Sequence, residues 1–112
     1  MSRRALPKGL PLPVLEEVAR TLRVLAHPLR LKILERLTFS EATVQELARH
    51  LHRSHAVVSQ HVNLMRLHGL LRRRPQGRHA WYQVADPEAL SLLQWIHQRQ
   101  FARASFRDGE AI

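Results

Sequence analysis

The sequence contains no cysteine. That absence removes disulfides, thiolate metal ligands, thiol redox sensing and cysteine nucleophiles together. Glycine occurs four times in 112 residues, which leaves little scope for a backbone cradle around a phosphate. Aromatic residues make up 5% of the chain, and no basic stretch is rich in them, so duplex nucleic acid fits better than single strands stacked on rings. No apolar run approaches the roughly 20 residues that span a bilayer. The opening stretch, MSRRALPKGLPLPV, has two arginines but neither the apolar core nor the small-residue cleavage site of a signal peptide. A cytoplasmic protein without a membrane segment is expected. No nucleophile elbow, phosphate loop or HExxH pattern appears, so nothing points to an enzyme.

Acidic side chains are also scarce. Nine Asp and Glu stand against 18 Lys and Arg, a net charge of +9 with neutral histidines. An excess of that size on a small domain favours a polyanionic partner, nucleic acid above all. Hydrophobic residues make up 45%, enough for the core of one domain that would still gain from dimerisation.

The hydrophobic pattern divides the chain into an irregular N-terminal arm (1–13) broken by Pro7, Pro11 and Pro13, one folded domain (14–103) and a C-terminal tail (104–112) with little periodicity. From Val14, the residues Leu15, Val18, Leu22 and Leu25 recur at helical spacing. Pro28 disfavours helical geometry at His27 and suits the first turn of a second helix, with Leu29, Ile33, Leu34 and Leu37 on its apolar side. Thr43 and Glu46 have capping-box spacing, which starts a short third helix at Val44. Ser54 offers an N-cap to a fourth helix from about His55 to His68, with Val58, Val62 and Met65 as its core stripe and Gly69 closing it. Pro75-Gln76-Gly77 marks a turn between two extended runs. In the second run Ala80, Tyr82 and Val84 share one face, and His79, Trp81 and Gln83 the other. Asp86-Pro87 opens a last helix carrying Leu90, Leu93 and Ile96, with Leu92 and Trp95 beside them. The expected fold is mainly α with a small β-hairpin: a winged helix-turn-helix.

Such a fold reads base edges from the N-terminal part of its second short helix. Here those residues are Ser54, His55, Ala56, Ser59 and Gln60. Gln60 can pair bidentately with adenine, and Ser59 can donate or accept. Arg53 and Arg66 are candidates for phosphate contacts, which position without specifying. The wing carries Arg72, Arg73, Arg74, Arg78 and His79 around its turn. Arg78 and His79 near the tip could enter a minor groove; the arginine run would equally serve to keep the strand edge solvated.

The stretch HRSHAVVSQHVNLMRLHG, from His52 to Gly69, holds four of the eight histidines and raises the alternative of a metal site. Zinc needs three or four ligands converging at about 2.0–2.3 Å. His61 and His68 stand seven apart, about 10 Å along a helix axis, and no HxxxH pair exists. A site within this helix is disfavoured, while one assembled between subunits stays open.

Three segments together resemble the ArsR/SmtB family of bacterial winged-helix repressors. LAHPLRLKILERL is similar to the family's second-helix signature at Pro28, Arg30, Ile33 and Leu34, with His27 where Asp or Asn is more usual. SHAVVSQHVNLMRLHGLL resembles its recognition helix at Ser54, Val58, Ser59, His61, Leu64, Gly69 and Leu70, and GRHAWYQV its wing at Gly77, Arg78 and Tyr82. The resemblance covers roughly Leu15 to Ile96. It implies a homodimer that binds operator DNA and is released by a ligand or oxidant. It implies a dimer interface of first and last helices, where Leu15, Leu22, Leu92, Trp95 and Ile96 are the candidates; alternatively Leu92 and Trp95 complete the monomer core. It places His61 at a family position with either a phosphate or a helix-packing role. The family's metal positions appear to hold Thr43 and Gln45 in the third helix, and Asp86, Glu88, Arg99 and Ala102 in the last. Arg99 is a permanent cation and cannot ligate, so no metal and no cofactor are expected. The releasing signal is left open among a small molecule, a partner protein and protonation of the histidines. The rival readings are a metal-responsive repressor with a histidine site of its own, and a winged-helix module that binds protein or RNA.

Overall fold

The computed structural model describes the backbone of residues 9–111 and the side chains of residues 9–99. Five helices and one hairpin follow in the order α1 (Leu12–Leu25), α2 (Pro28–Leu37), α3 (Val44–Leu51), α4 (His55–Leu67), β1 (Leu71–Gln76), β2 (His79–Val84) and α5 (Pro87–Ala111). This is the winged helix-turn-helix arrangement expected from the sequence.

Most boundaries follow from local chemistry. The Thr43 hydroxyl accepts from the Glu46 amide at 3.1 Å, and the Glu46 carboxylate accepts from the Thr43 amide at 3.0 Å, which closes the capping box. Ser54 Oγ accepts from the Val57 amide at 3.1 Å and opens α4. At the other end of α4, Leu70 N–H reaches the Met65 carbonyl and Gly69 N–H the Arg66 carbonyl, both at 2.9 Å, with Gly69 at φ +76°. That is a Schellman closure. Helix α3 ends the same way, through Arg53 N–H to Ala48 and His52 N–H to Arg49, but the left-handed position is filled by His52 at φ 56°. Asp86 Oδ1 accepts from the Glu88 amide at 2.9 Å and starts α5.

Three boundaries differ from those expected. Helix α1 begins at Leu12, two residues early, because Pro13 fits a first turn whose N–H groups lack partners in any case. The hairpin turns at Gly77-Arg78, and Pro75 lies inside β1 opposite Ala80. Gly77, at φ +61°, supplies the positive φ of a two-residue turn, and Pro75 is tolerated because β1 is an edge strand. Helical backbone continues to Ala111: no proline follows Pro87, so weak periodicity alone does not stop it. The expected arm falls largely in residues 1–8, outside the described residues.

One core joins these elements. Ile33, Leu34, Leu47, Val58, Val62, Met65 and Leu70 are its largest fully buried side chains. Tyr82 and Val84 pack against it from the inner face of β2. The hairpin is anchored by a reciprocal pair of backbone bonds between Ala42 and Tyr82, 3.1 and 2.8 Å, which adds the α2–α3 connection as a third rung.

Two substitutions test this construction in chemical denaturation. Thr43→Ala removes the hydroxyl half of the capping box and should cost about 1 kcal/mol. His52→Val forces a β-branched residue into the left-handed region and should be less stable than His52→Gly by about 1–2 kcal/mol; equal stabilities would show that the turn relaxes to another geometry.

Candidate nucleic-acid interface

Burying Val58, Val62 and Met65 turns the opposite side of α4 outward. Ala56 and Gln60 are exposed there, Ser59 is half-buried at the edge, and His55, three residues before Val58, is exposed because it begins the helix. His55 and Ser59, one helical turn apart, form one wall of a cleft of about 400 Å³. Its other walls are Thr43, Val44 and Gln45 at the start of α3, and Arg73, Arg78, His79, Ala80 and Tyr82 on the hairpin. Register explains the hairpin's share. Arg73 lies opposite Tyr82, so it shares the inner face of the wing, while Arg72 and Arg74 lie opposite Gln83 and Trp81. Among the described residues, no acidic side chain lines the cleft. Two guanidinium groups and two imidazoles converge there beside the exposed start of α4.

Five of the expected contact residues are brought together here: His55, Ser59, Arg73, Arg78 and His79. Ala56 and Gln60 lie on the next face of the helix, open to solvent. The others are engaged within the chain. Ser54 is spent on its cap. Arg53 donates to the His52 carbonyl at 3.2 Å and Arg66 to Asn63 Oδ1 at 2.8 Å; both groups remain at the surface. Arg74 is paired with Glu41 and also donates to Gln76. Thr43 and Gln45 line the cleft although the sequence alone suggested no contact at either. Asn63 is exposed on the face of Ala56 and Gln60, and the spacing 56, 60, 63 was the signal that could have found it.

His61 faces inward. Its Nδ1 accepts from Arg30 Nε at 3.2 Å, and its ring lies 4.5 Å from that of His27. Burial, then the neighbouring His27 and Arg30, hold its pKa below the ordinary 6.5. Of the two roles weighed for it, this contact is helix packing. His27 caps α2, accepting from the Leu29 amide at Nδ1 over 3.1 Å. An imidazole thus does what Asp or Asn does elsewhere.

Among the described residues, no three of His, Asp and Glu are grouped so as to hold a metal ion. Thr43 is committed to its capping box, and the Arg99 guanidinium lies 4.8 Å from the Trp95 ring centroid. Ala102 lies outside the described side chains.

A second region is apolar. Along α1, Leu12, Val14, Leu15, Val18 and Leu22 are 41–67% exposed, and Trp95 on α5 is 54% exposed. Leu92 packs against the core and Ile96 is half-buried, so the surplus lies mainly on α1 and Trp95. Between α1 and the start of α5 lies a cavity of about 280 Å³ lined by Val18, Leu22, Leu25, Leu70 and Leu92, with Glu17, Asp86 and Glu88 at its polar side. The molecule is therefore basic around α4 and the wing, and apolar along the exposed stripe of α1.

Comparison with known proteins agrees with this geometry. Residues 25–74 match a family model described as a helix-turn-helix domain. The chain is 34% identical over 80 residues to the HTH-type transcriptional repressor SmtB of Mycobacterium tuberculosis, an alignment covering 71% of this chain and 59% of that protein. It thus spans about three-fifths of that relative's length. It is 32% identical over 92 residues to the biofilm growth-associated repressor of Agrobacterium fabrum, covering 79% of each. The solved structure of NolR from Sinorhizobium fredii superposes with a TM-score of 0.73 at 26% identity, covering 81% of this chain and 94% of that one. With the capped reading helix, the arginine-bearing wing and these relatives in place, the chain belongs to the ArsR/SmtB family of winged helix-turn-helix transcriptional regulators.

Proposed function

We propose that this protein is a cytoplasmic transcriptional repressor that binds an inverted-repeat operator in duplex DNA as a homodimer, with residues 14–103 as the working unit. The observation that carries this reading is the cleft at the start of α4, lined by no acidic side chain among the described residues, where His55, Ser59, Arg73 and Arg78 converge beside an exposed Gln60. Phosphates supply affinity and base edges supply specificity. Arg73 and Arg78 take the first role, and Gln60, presented on a rigid helix, takes the second. The repressors among the relatives support the direction of regulation. Binding, not catalysis, is the activity of this surface.

Dimerisation follows from the exposed stripe of α1. A contiguous apolar face of this kind marks a contact surface, and a second copy pairing α1 and Trp95 would cover it. Two recognition helices would then enter major grooves about one turn apart, roughly 34–36 Å between half-site centres. No metal enters this reading, because Arg99 cannot ligate and Thr43 serves as a cap. No helix of the described residues is long and apolar enough to cross a membrane, in keeping with a site of action on the chromosome.

Three measurements test the proposal. Gln60→Ala should cost about 1–3 kcal/mol on the operator and relax preference at one base position, whereas Arg78→Ala should weaken all duplexes alike and lower the salt slope by about one. Equal losses on operator and random duplex in the Gln60 variant would remove it as a base reader; no effect from either change would remove this surface from DNA binding altogether. Trp95→Lys combined with Leu22→Asp should sediment as monomer or aggregate, and an intact dimer would reject the α1–α5 interface. Elemental analysis of tag-free protein should find well under one metal per subunit; a full equivalent that alters DNA affinity would restore the metal-sensing alternative.

A further inference from the structure

Arg30 is the point where three helices meet. It belongs to α2. Its Nη1 donates to the Val24 carbonyl at the end of α1 over 2.9 Å, and its Nε donates to His61 Nδ1 on α4 over 3.2 Å. One planar guanidinium with donors on different edges holds both directions at once. Helix α1 carries the exposed apolar stripe and α4 the reading face. The bracket thus fixes the angle between the surface proposed to join two copies and the surface proposed to read DNA.

The acceptor at one end of this bracket is an imidazole. Nδ1 of His61 can accept from Arg30 only while it carries no proton, which requires the neutral ring protonated at Nε2. The adjacent ring is under the same constraint: His27 Nδ1 accepts the Leu29 amide that starts α2. Two imidazoles 4.5 Å apart therefore both use Nδ1 as acceptor, on the two sides of one helix junction. A proton on either Nδ1 replaces an acceptor with a donor aimed at another donor.

We propose that Arg30 is a positioning residue for the recognition helix, and that protonation of His61 releases its hold, so that acidification uncouples the reading helix from the α1 face and weakens operator binding. This rests on the DNA-binding reading above. The groups that bear on His61 are His27 at the start of α2 and Arg30 on α2, both of which oppose a second positive charge; the other elements packed on α4, helix α3 and strand β1, add no charged group that acts on it. The sign follows from that opposition. A histidine held below its ordinary pKa binds protons more readily once its contacts open, so the bracket is intact above about pH 6.5 and is lost as pH falls through the lower value of the folded state. Any positive charge that acidification adds elsewhere on the surface acts the other way, towards any duplex.

Because those opposing effects coexist, the test compares proteins. The wild type, His61→Asn and Arg30→Gln would be titrated with a duplex selected from a random pool, and the measured quantity is the ratio of Kd below the His61 transition, located by nitrogen-15 NMR, to Kd at about pH 8, above the ordinary imidazole value. In His61→Asn, the amide oxygen stands near the place of Nδ1 and accepts from Arg30 at every pH. The expected result is a wild-type ratio about fivefold larger than that of His61→Asn, the size of one hydrogen bond lost, with Arg30→Gln following the asparagine variant because it has no bracket to lose. The gain from charge added elsewhere on the surface is common to all three and cancels. Parallel profiles for the wild type and His61→Asn, within about twofold, would overturn the proposal, since a change of that size falls below one hydrogen bond. Nitrogen-15 NMR of the DNA-free protein tests the bracket independently of any duplex. His61 Nδ1 should be unprotonated at neutral pH and should shift in Arg30→Gln; a proton on Nδ1, or no response to the loss of Arg30, would overturn the bracket. A selection that recovers no duplex would refute the DNA reading instead, and the NMR result would still decide the bracket.

Discussion

Helix α4 must be held hard on one side and left bare on the other. A helix of 13 residues is marginal in isolation, so its order comes from burying Val58, Val62 and Met65 in the same cluster as Ile33, Leu34 and Leu47. That burial fixes which residues face solvent. With an advance of about 100° per residue, a stripe at 58, 62 and 65 turns Ala56, Gln60 and Asn63 outward, while His55 is exposed because it begins the helix. The exposed face of α4 is thus the complement of the core, and a change in the core stripe would rotate it.

The polar contacts around α4 complete its definition. Its N-terminus is capped by Ser54 and its C-terminus closed by Gly69 and Leu70, so part of the backbone groups left over at each end is satisfied within the chain. The wing is held in place by the Ala42–Tyr82 pair and by Arg74 on Glu41, two ties to the same connection between α2 and α3. One arginine of the run thereby steadies the hairpin while another, on the inner face, is left for the cleft. Alternation along a strand divides these roles between neighbours in sequence.

Seven of the eight histidines, which together raised the question of a metal, separate into different places and tasks. His27 caps a helix and His61 receives Arg30. His52 occupies a left-handed turn, and His68 is the C-cap residue of α4. His97 lies 3.0 Å from Glu35 on α2. His55 and His79 face the basic cleft. At His27 and His61 the ring nitrogen serves as a hydrogen-bond acceptor, a role that an Asn side-chain oxygen could also fill. The clustering of histidines in sequence between positions 50 and 61 does not gather them into a metal-holding group among the described residues.

The order of the elements, the caps at Thr43 and Ser54, the glycine closure of α4 and its apolar stripe were all legible in the residues, because each depends on neighbours within four positions. The candidate site was legible in kind, as a reading helix beside a basic wing. Its composition was not. That Arg73 enters the cleft while Arg74 turns to Glu41 depends on hairpin register, set by a turn at Gly77 rather than at Pro75. That Gln45 and Thr43 join His55 and Ser59 depends on how α3 packs on α4. The inward turn of His61 depends on Arg30, 31 positions away. Local sequence determined the helices and where they stop, through hydrogen bonds within a turn or two; only tertiary packing decided which polar side chains meet, because those partners lie far apart along the chain and are chosen by the shape of the core between them.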